Sequence, residues 1–197
     1  MAKTTATAPE SLCPTQMTVG MIEVRDKEKQ LAALKSAERA DFLRAHALPA
    51  VVGPRGRLYI TDHHHLARAA LDAAAGQVFC EIEADLSRCE LPAFWKEMEE
   101  NSWVHPLDEH GVRHIYPKLP ARLADLVDDV YRSLACYVRN AGGYEKTGKA
   151  YAEFVWADFF RRNVAVEIVT GDFEAAVRAA VPLARSNRAK NLPGYKG

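Results

Sequence analysis

The chain has 197 residues, 48% of them apolar, which is enough to close a sizeable core and excludes disorder of the whole chain. Lys and Arg together number 26 and Asp and Glu together 26, so no global field draws the protein to nucleic acid or to an anionic membrane. Four scattered cysteines without CxxC spacing, no apolar run of membrane-spanning length and no apolar signal-peptide core at the start together predict a cytoplasmic protein without membrane attachment.

Residues 1–11 are Thr/Ala-rich and read as loose, with a short edge strand expected near 17–19. Leu31, Leu34, Ala37 and either Phe42 or Leu43 give one apolar side to a surface helix over 27–46, stopped by Pro49. Residues 50–52 and 58–60 read as hairpin arms around Gly53-Pro54-Arg55-Gly56. A helix over 64–75 ends at Gly76, and the alternation over 78–84 predicts a half-buried strand. Pro92 suits the first turn of a helix reaching Glu100, and 103–116 reads as a hairpin turning at Asp108-Glu109-His110-Gly111.

Leu123, Leu126, Val127, Val130, Leu134 and Val138 recur at helical spacing and predict one helix over 121–138, ended by Asn140-Ala141-Gly142-Gly143. A second helix over 150–162 carries Phe154, Trp156, Phe159 and Phe160. Residues 164–169 suit either a strand or a continuation of that helix, and Asp172 is a fitting N-cap for 173–181. From Arg185 to Gly197 there is no acidic residue, and the segment reads as a solvated basic tail. The order of elements predicts an α+β fold, a small mixed β-sheet followed by a helical C-terminal half on the same core, divided as 12–116, 117–184 and 185–197.

The strongest chemical signal is LYITDHHHLARAAL over 58–71, a strand that enters a helix through Asp62, His63, His64 and His65. Helix-terminal N–H groups point outward at such a junction and favour an anion. His64 and His65 suit phosphate contact, proton transfer or metal ligation, and Asp62 suits orienting an imidazole or holding a divalent ion. The competing reading makes Asp62 a helix cap, one histidine a core residue and the others exposed. No HExxH or comparable ligand spacing supports a metal centre. Asp125, Asp128, Asp129 and Arg132 share helical spacing, which fits a salt-bridged face or a ligand-recognising one. Gly142-Gly143-Tyr144 reads as a substrate-facing loop or a helix stop, and Glu153 as a ligand-facing acid three residues before Trp156.

The segment GPRGRLYITDHHHLARAAL, residues 53–71, resembles the signature of the ParB/sulfiredoxin superfamily, and more closely its ParB-like nuclease branch. Similar blocks are Leu12 to Gln16, Asp85 to Trp95, Leu126 to Gly143 and Glu153 to Arg161, so the resemblance spans about residues 12–162. It implies a nucleotide-type phosphate site at the strand-to-helix junction, onto which Asp62, His64 and His65 map. His63 stands where the family motif has glycine, and Leu66 where it has arginine. The family carries proline at the position of Val130, so the helix here is expected to run on through it. The cysteine of sulfiredoxins is missing from the motif, and no helix-turn-helix accompanies it. The free-serine kinases of the superfamily are the nearer enzymatic analogy, and Glu23 is the matching candidate base.

The expectation is therefore a phosphoryl-transfer or phosphoester-hydrolysing enzyme acting on a nucleotide or small phosphorylated metabolite, with Mg or Mn as the expected divalent ion. Asp62, His64, His65 and Glu23 are the candidate catalytic residues, and His63, Asp129, Arg132, Tyr144 and Glu153 the candidate substrate contacts. The alternatives are a non-catalytic nucleotide-sensing or partner-binding module and a metal-dependent nuclease. Neutral charge disfavours broad nucleic-acid binding.

Overall fold

The computed structural model describes residues 4–197. Its strands are β1 (Thr4–Thr7), β2 (Leu12–Pro14), β3 (Thr18–Val19), β4 (Leu48–Val52), β5 (Leu58–Ile60), β6 (Val78–Asp85) and β7 (Val127–Asp128). Its α-helices are α1 (Met21–Ala33), α2 (Ser36–Ala45), α3 (His64–Asp72), α4 (Leu91–Glu100), α5 (Val130–Asn140), α6 (Ala152–Asn163), α7 (Val166–Gly171) and α8 (Phe173–Ala184). The fold is α+β, a small mixed sheet followed by a helical C-terminal region. Contacts divide it into two compact units, residues 1–19 with 24–127 and residues 20–23 with 128–197.

The first unit holds a five-stranded sheet in the order β1-β6-β4-β5-β2. β1 runs antiparallel to β6 and β4 antiparallel to β5, whereas β4 is parallel to β6 and β2 parallel to β5. The Thr/Ala-rich start is thus partly an edge strand and not loose from Thr4 onward; residues 1–3 lie outside the described residues. Helix α4 opens with proline in its first turn and packs Phe94 and Met98, four apart on one face, into a cluster with Cys13, Val51, Tyr59 and Val104. The Tyr59 and Phe94 rings lie 4.8 Å apart.

The helix expected over 27–46 is two helices. The chain turns at Lys35, whose extended backbone (φ −65°, ψ 158°) ends the run, and whose amide donates to the Glu38 carboxylate at 3.0 Å. Apolar spacing continues across the break, which is why periodicity did not reveal it. The expected hairpin over 103–116 keeps only its turn and the isolated Leu107–Arg113 bridge. Asp108 builds that turn, its Oδ1 accepting from the His110 amide at 3.0 Å and the Val112 amide at 2.8 Å, while Oδ2 lies 2.7 Å from His114 Nε2.

Burial pushes the Asp108 carboxyl up, but the His114 side chain and the two amides outweigh it and carry it below its ordinary 3.8. A carboxyl with a depressed folded value stabilises above its unfolded value, and the effect is lost as pH falls through the folded value. The Asp108→Asn protein is therefore expected to lose stability at neutral pH and to show a shallower decline below about pH 4, read from urea midpoints across the acid range. An acid limb identical to wild type would remove Asp108 from the account.

The second unit is helical. Tyr131, Leu134, Ala135 and Val138 of α5, Trp156, Ala157, Phe159 and Phe160 of α6, and Ala176, Ala180 and Ala184 of α8 form its buried cluster. The helix expected over 121–138 begins only at Val130; Leu123–Asp125 is a 3-10 turn and Val127–Asp128 an extended pair. Asp129 forces this start by adopting extended backbone and accepting the Tyr131 amide at 3.0 Å as N-cap. Val130 therefore occupies the first helical position, where proline is equally at home, so the helix does not run through it. Residues 166–171 are helix, not strand. The Asp172 cap is present, accepting from the Ala175 amide at 2.9 Å.

The C-terminal segment packs into this unit. Trp156 Nε1 donates to the Pro193 carbonyl at 2.7 Å, the Glu145 amide donates to the Gly194 carbonyl at 2.8 Å, and Ala189 is fully buried. Arg185 donates through Nε and Nη2 to the Gly142 carbonyl at 3.2 and 2.7 Å, closing the end of α5.

Candidate functional site

The junction is built by the register of β2 on β5, which sets Pro14 opposite Ile60. One residue further on, Thr15 Oγ1 donates to the Ile60 carbonyl at 2.7 Å. On the other strand the Thr61 amide donates to the Pro49 carbonyl at 2.9 Å, and its hydroxyl donates to Glu83 at 2.6 Å. The chain then turns through Asp62, whose Oδ1 accepts the His63 amide at 2.7 Å. His63 caps α3 in the left-handed conformation (φ 58°, ψ 28°), and its carbonyl accepts the Ala67 amide at 2.9 Å. Leaving the strand this way lets α3 begin at once, with the first-turn amides from His64 onward lying beyond the reach of intrahelical acceptors.

The three histidines separate. His63 and Asp62 are exposed, whereas His64 and His65 are buried, His64 to 1% exposure. The His64 ring turns inward, where its Nε2 accepts the Thr15 amide at 3.0 Å. Asp62 thus acts on the turn itself and does not cap α3, whose N-cap is His63 without a side-chain cap bond, and His64 is anchored on the end of β2. Thr15 was the residue missed in the sequence; it lies in the Leu12 to Gln16 block, and only the strand register shows what it does.

Leu66 is buried, so no cation occupies the position of the family arginine. Arg68 does not replace it. Its Nε meets both Asp72 oxygens at 3.0 and 2.9 Å, and its Nη1 donates to the carbonyls of Leu123, Ala124 and Leu126 at 3.2–3.3 Å. It fastens the 123–126 turn and so contributes to the late start of α5.

In the second unit, Glu23, Arg132, Tyr144 and Glu153 come into one neighbourhood. Glu23 lies in the first turn of α1, whose Met21 amide donates to Asp128 at 2.9 Å and whose Ile22 amide donates to Ser133 Oγ at 3.3 Å. Gly20 permits this approach, since a Cβ there would stand 2.5 Å from the Ser133 backbone nitrogen. Tyr144 is buried, stacks on Trp156 at 4.1 Å and donates its hydroxyl to the Ala135 carbonyl at 2.9 Å. Burial pushes its phenol far above the ordinary 10, Arg139 and Arg132 pull it down, and Cys136 and Glu23 push it up. Glu153 pairs with Arg139. The Arg132 guanidinium lies 3.5 Å over the Phe154 ring.

Asp129 is 3% exposed, with Oδ1 on the Tyr131 amide and Oδ2 2.5 Å from Arg161, which also pairs with Asp158. Burial pushes its carboxyl up, opposed by Arg161 and Arg132. These contacts make Asp129 the corner that joins α5 to α6. Arg139 and Arg161 were not among the expected site residues, and both lie inside the blocks that carry the family resemblance. Among the described residues, no group of three or more His, Cys, Asp or Glu side chains is placed to hold a metal ion.

A mixed sheet of this order, a left-handed turn into a histidine-bearing helix and a helical C-terminal region define the ParB/sulfiredoxin class of fold. Residues 6–162 match the family described as "Putative ParB-like nuclease", and the chain belongs to that family. It is also similar to a protein of known crystal structure, Atu1540 from Agrobacterium tumefaciens, with 36% identity and a TM-score of 0.93 over 100% of this chain and 98% of that one. The sequence matches no curated protein.

Proposed function

We propose that the protein is a phosphoryl-transfer or phosphoester-hydrolysing enzyme whose nucleotide or small phosphorylated substrate is held by its phosphate at the start of α3. The observation that carries this reading is His63 in the left-handed conformation. The family motif has glycine here, and this chain keeps the glycine-type turn although a side chain strains it by about 1 kcal/mol. What is retained is the backbone path that presents the first amides of α3, with the helix dipole behind them, to an anion. His63 and Asp62 flank that opening, and His64 and His65 are the imidazoles beneath it. The charge demand of phosphoryl transfer is met by such fixed donors.

Calorimetry with ATP, ADP, CTP and GTP, with and without Mg²⁺ or Mn²⁺, tests the reading. Saturable binding that weakens in the His64→Ala protein supports it, and no binding under any condition overturns it. A second reading, a nucleotide-sensing module without catalysis, is favoured by Leu66 and by the engagement of Arg68 elsewhere, since no arginine stands at the motif's own position. Binding without turnover would select it.

The His63→Gly protein is expected to be more stable by about 1 kcal/mol, a rise of roughly 3 °C in thermal midpoint, because glycine takes the turn without strain. It should keep any phosphate affinity the backbone provides. A fall in stability would show that the His63 side chain, and not the turn, is what the position requires.

A further inference from the structure

We infer that Thr15 is a positioning residue that fixes the chemical character of His64: a neutral imidazole with its proton on Nδ1 and its Nε2 lone pair engaged by protein backbone. His64 Nε2 then serves the junction neither as a general base nor as a metal ligand. This inference rests on the anion reading of the junction and deepens it.

The argument is one of donor and acceptor identity. The group facing His64 Nε2 at 3.0 Å is the Thr15 amide, which can only donate. Nε2 must therefore carry a lone pair, and in a neutral ring the proton lies on Nδ1. The Thr15 hydroxyl also lies 3.4 Å from Nε2, but its proton is directed to the Ile60 carbonyl at 2.7 Å. It does not compete, and it pins the residue that carries the amide. Thr15 is fully buried and follows directly on β2, so the sheet register places this donor. Moving the proton to Nε2 would set two N–H groups against each other away from water.

Each alternative role of His64 needs something this arrangement removes. A general base needs a nitrogen lone pair directed at the substrate proton, and a metal ligand needs one directed at the ion. One nitrogen of His64 carries a proton and the other is held by the chain. Its Nε2 is thereby withheld from both roles.

The test uses the ¹⁵N-labelled full-length protein. Long-range imidazole ¹H–¹⁵N spectra report which nitrogen is protonated, and a trans-hydrogen-bond ¹⁵N–¹⁵N coupling reports the Thr15–His64 contact. The expected result is an unprotonated Nε2 coupled to the Thr15 amide, unchanged by Mn²⁺, with inorganic phosphate or ATP shifting the amides of residues 63–66. Thr15→Ser and Thr15→Val, which keep the amide, should keep the single tautomer; Thr15→Pro, which removes it, should lose it. A proton on Nε2 in the wild-type protein, or selective Mn²⁺ broadening of the His64 ring, would overturn the inference. An Nδ1–H ring with no amide shift from phosphate or ATP would overturn the anion reading while the assignment of Thr15 stands.

Discussion

Replacing Asp129 with alanine is expected to destabilise the second unit by about 3–5 kcal/mol, the largest effect of any single side chain described. Two losses combine. The Tyr131 amide at the start of α5 loses its cap, and Arg161 loses a partner at 2.5 Å while remaining mostly buried. Asp129→Asn keeps an acceptor for the amide but not the charge facing Arg161, and should fall between wild type and alanine. Urea denaturation followed by far-ultraviolet circular dichroism measures both. An alanine protein within 0.5 kcal/mol of wild type would mean that the Asp129–Arg161–Asp158 network contributes nothing net.

The second large effect concerns the C-terminal segment. Removal of residues 187–197 is expected to cost several kcal/mol and to leave the second unit without a cooperative unfolding transition. The segment supplies the acceptor for Trp156 Nε1, the carbonyl that holds the Glu145 amide, and the buried Ala189, with Leu192 and Tyr195 packed beside it. Losing this cover exposes apolar area at about 25 cal/mol per Å² and leaves the buried indole N–H unsatisfied. Trp156→Phe, which removes only the donor, should cost about 1–3 kcal/mol. Thermal unfolding of the truncated chain, with the transition of the first unit as internal reference, would decide the matter. An unchanged transition would return the segment to the status of a solvated tail.

Much of the architecture was legible from pattern. The hairpin of β4 and β5, the half-buried β6, the proline-led α4, the aromatic α6 and the capped α8 follow from periodicity and turn chemistry alone. The failures have one cause: side chains and backbone from distant positions override a continuing apolar rhythm. Leu123 and Leu126 keep helical spacing with Leu134, yet Arg68 draws their carbonyls into a turn, and Asp129 restarts the chain as a helix. At the junction, composition could not divide three identical side chains between solvent and core. That division follows from a turn taken against the usual preference at His63 and from the Thr15 amide, 49 positions from its partner. Tyr144, read as part of a substrate-facing loop or a helix stop, is held by the stacked indole of Trp156 and the Ala135 carbonyl, contacts that spacing alone does not reveal.

The second unit is discontinuous in sequence, and this bears on how the protein is made. Residues 20–23 leave the ribosome more than a hundred positions before Asp128 and Ser133, which receive the amides of Met21 and Ile22. During synthesis the first turn of α1 therefore waits with its donors on water, while the sheet beside it in sequence already has all its strands. Closure of the second unit must recapture a segment that emerged early, a contact of long sequence separation and correspondingly slow formation. The first turn of α1 thus gains these acceptors only once Asp128 and Ser133 have been made.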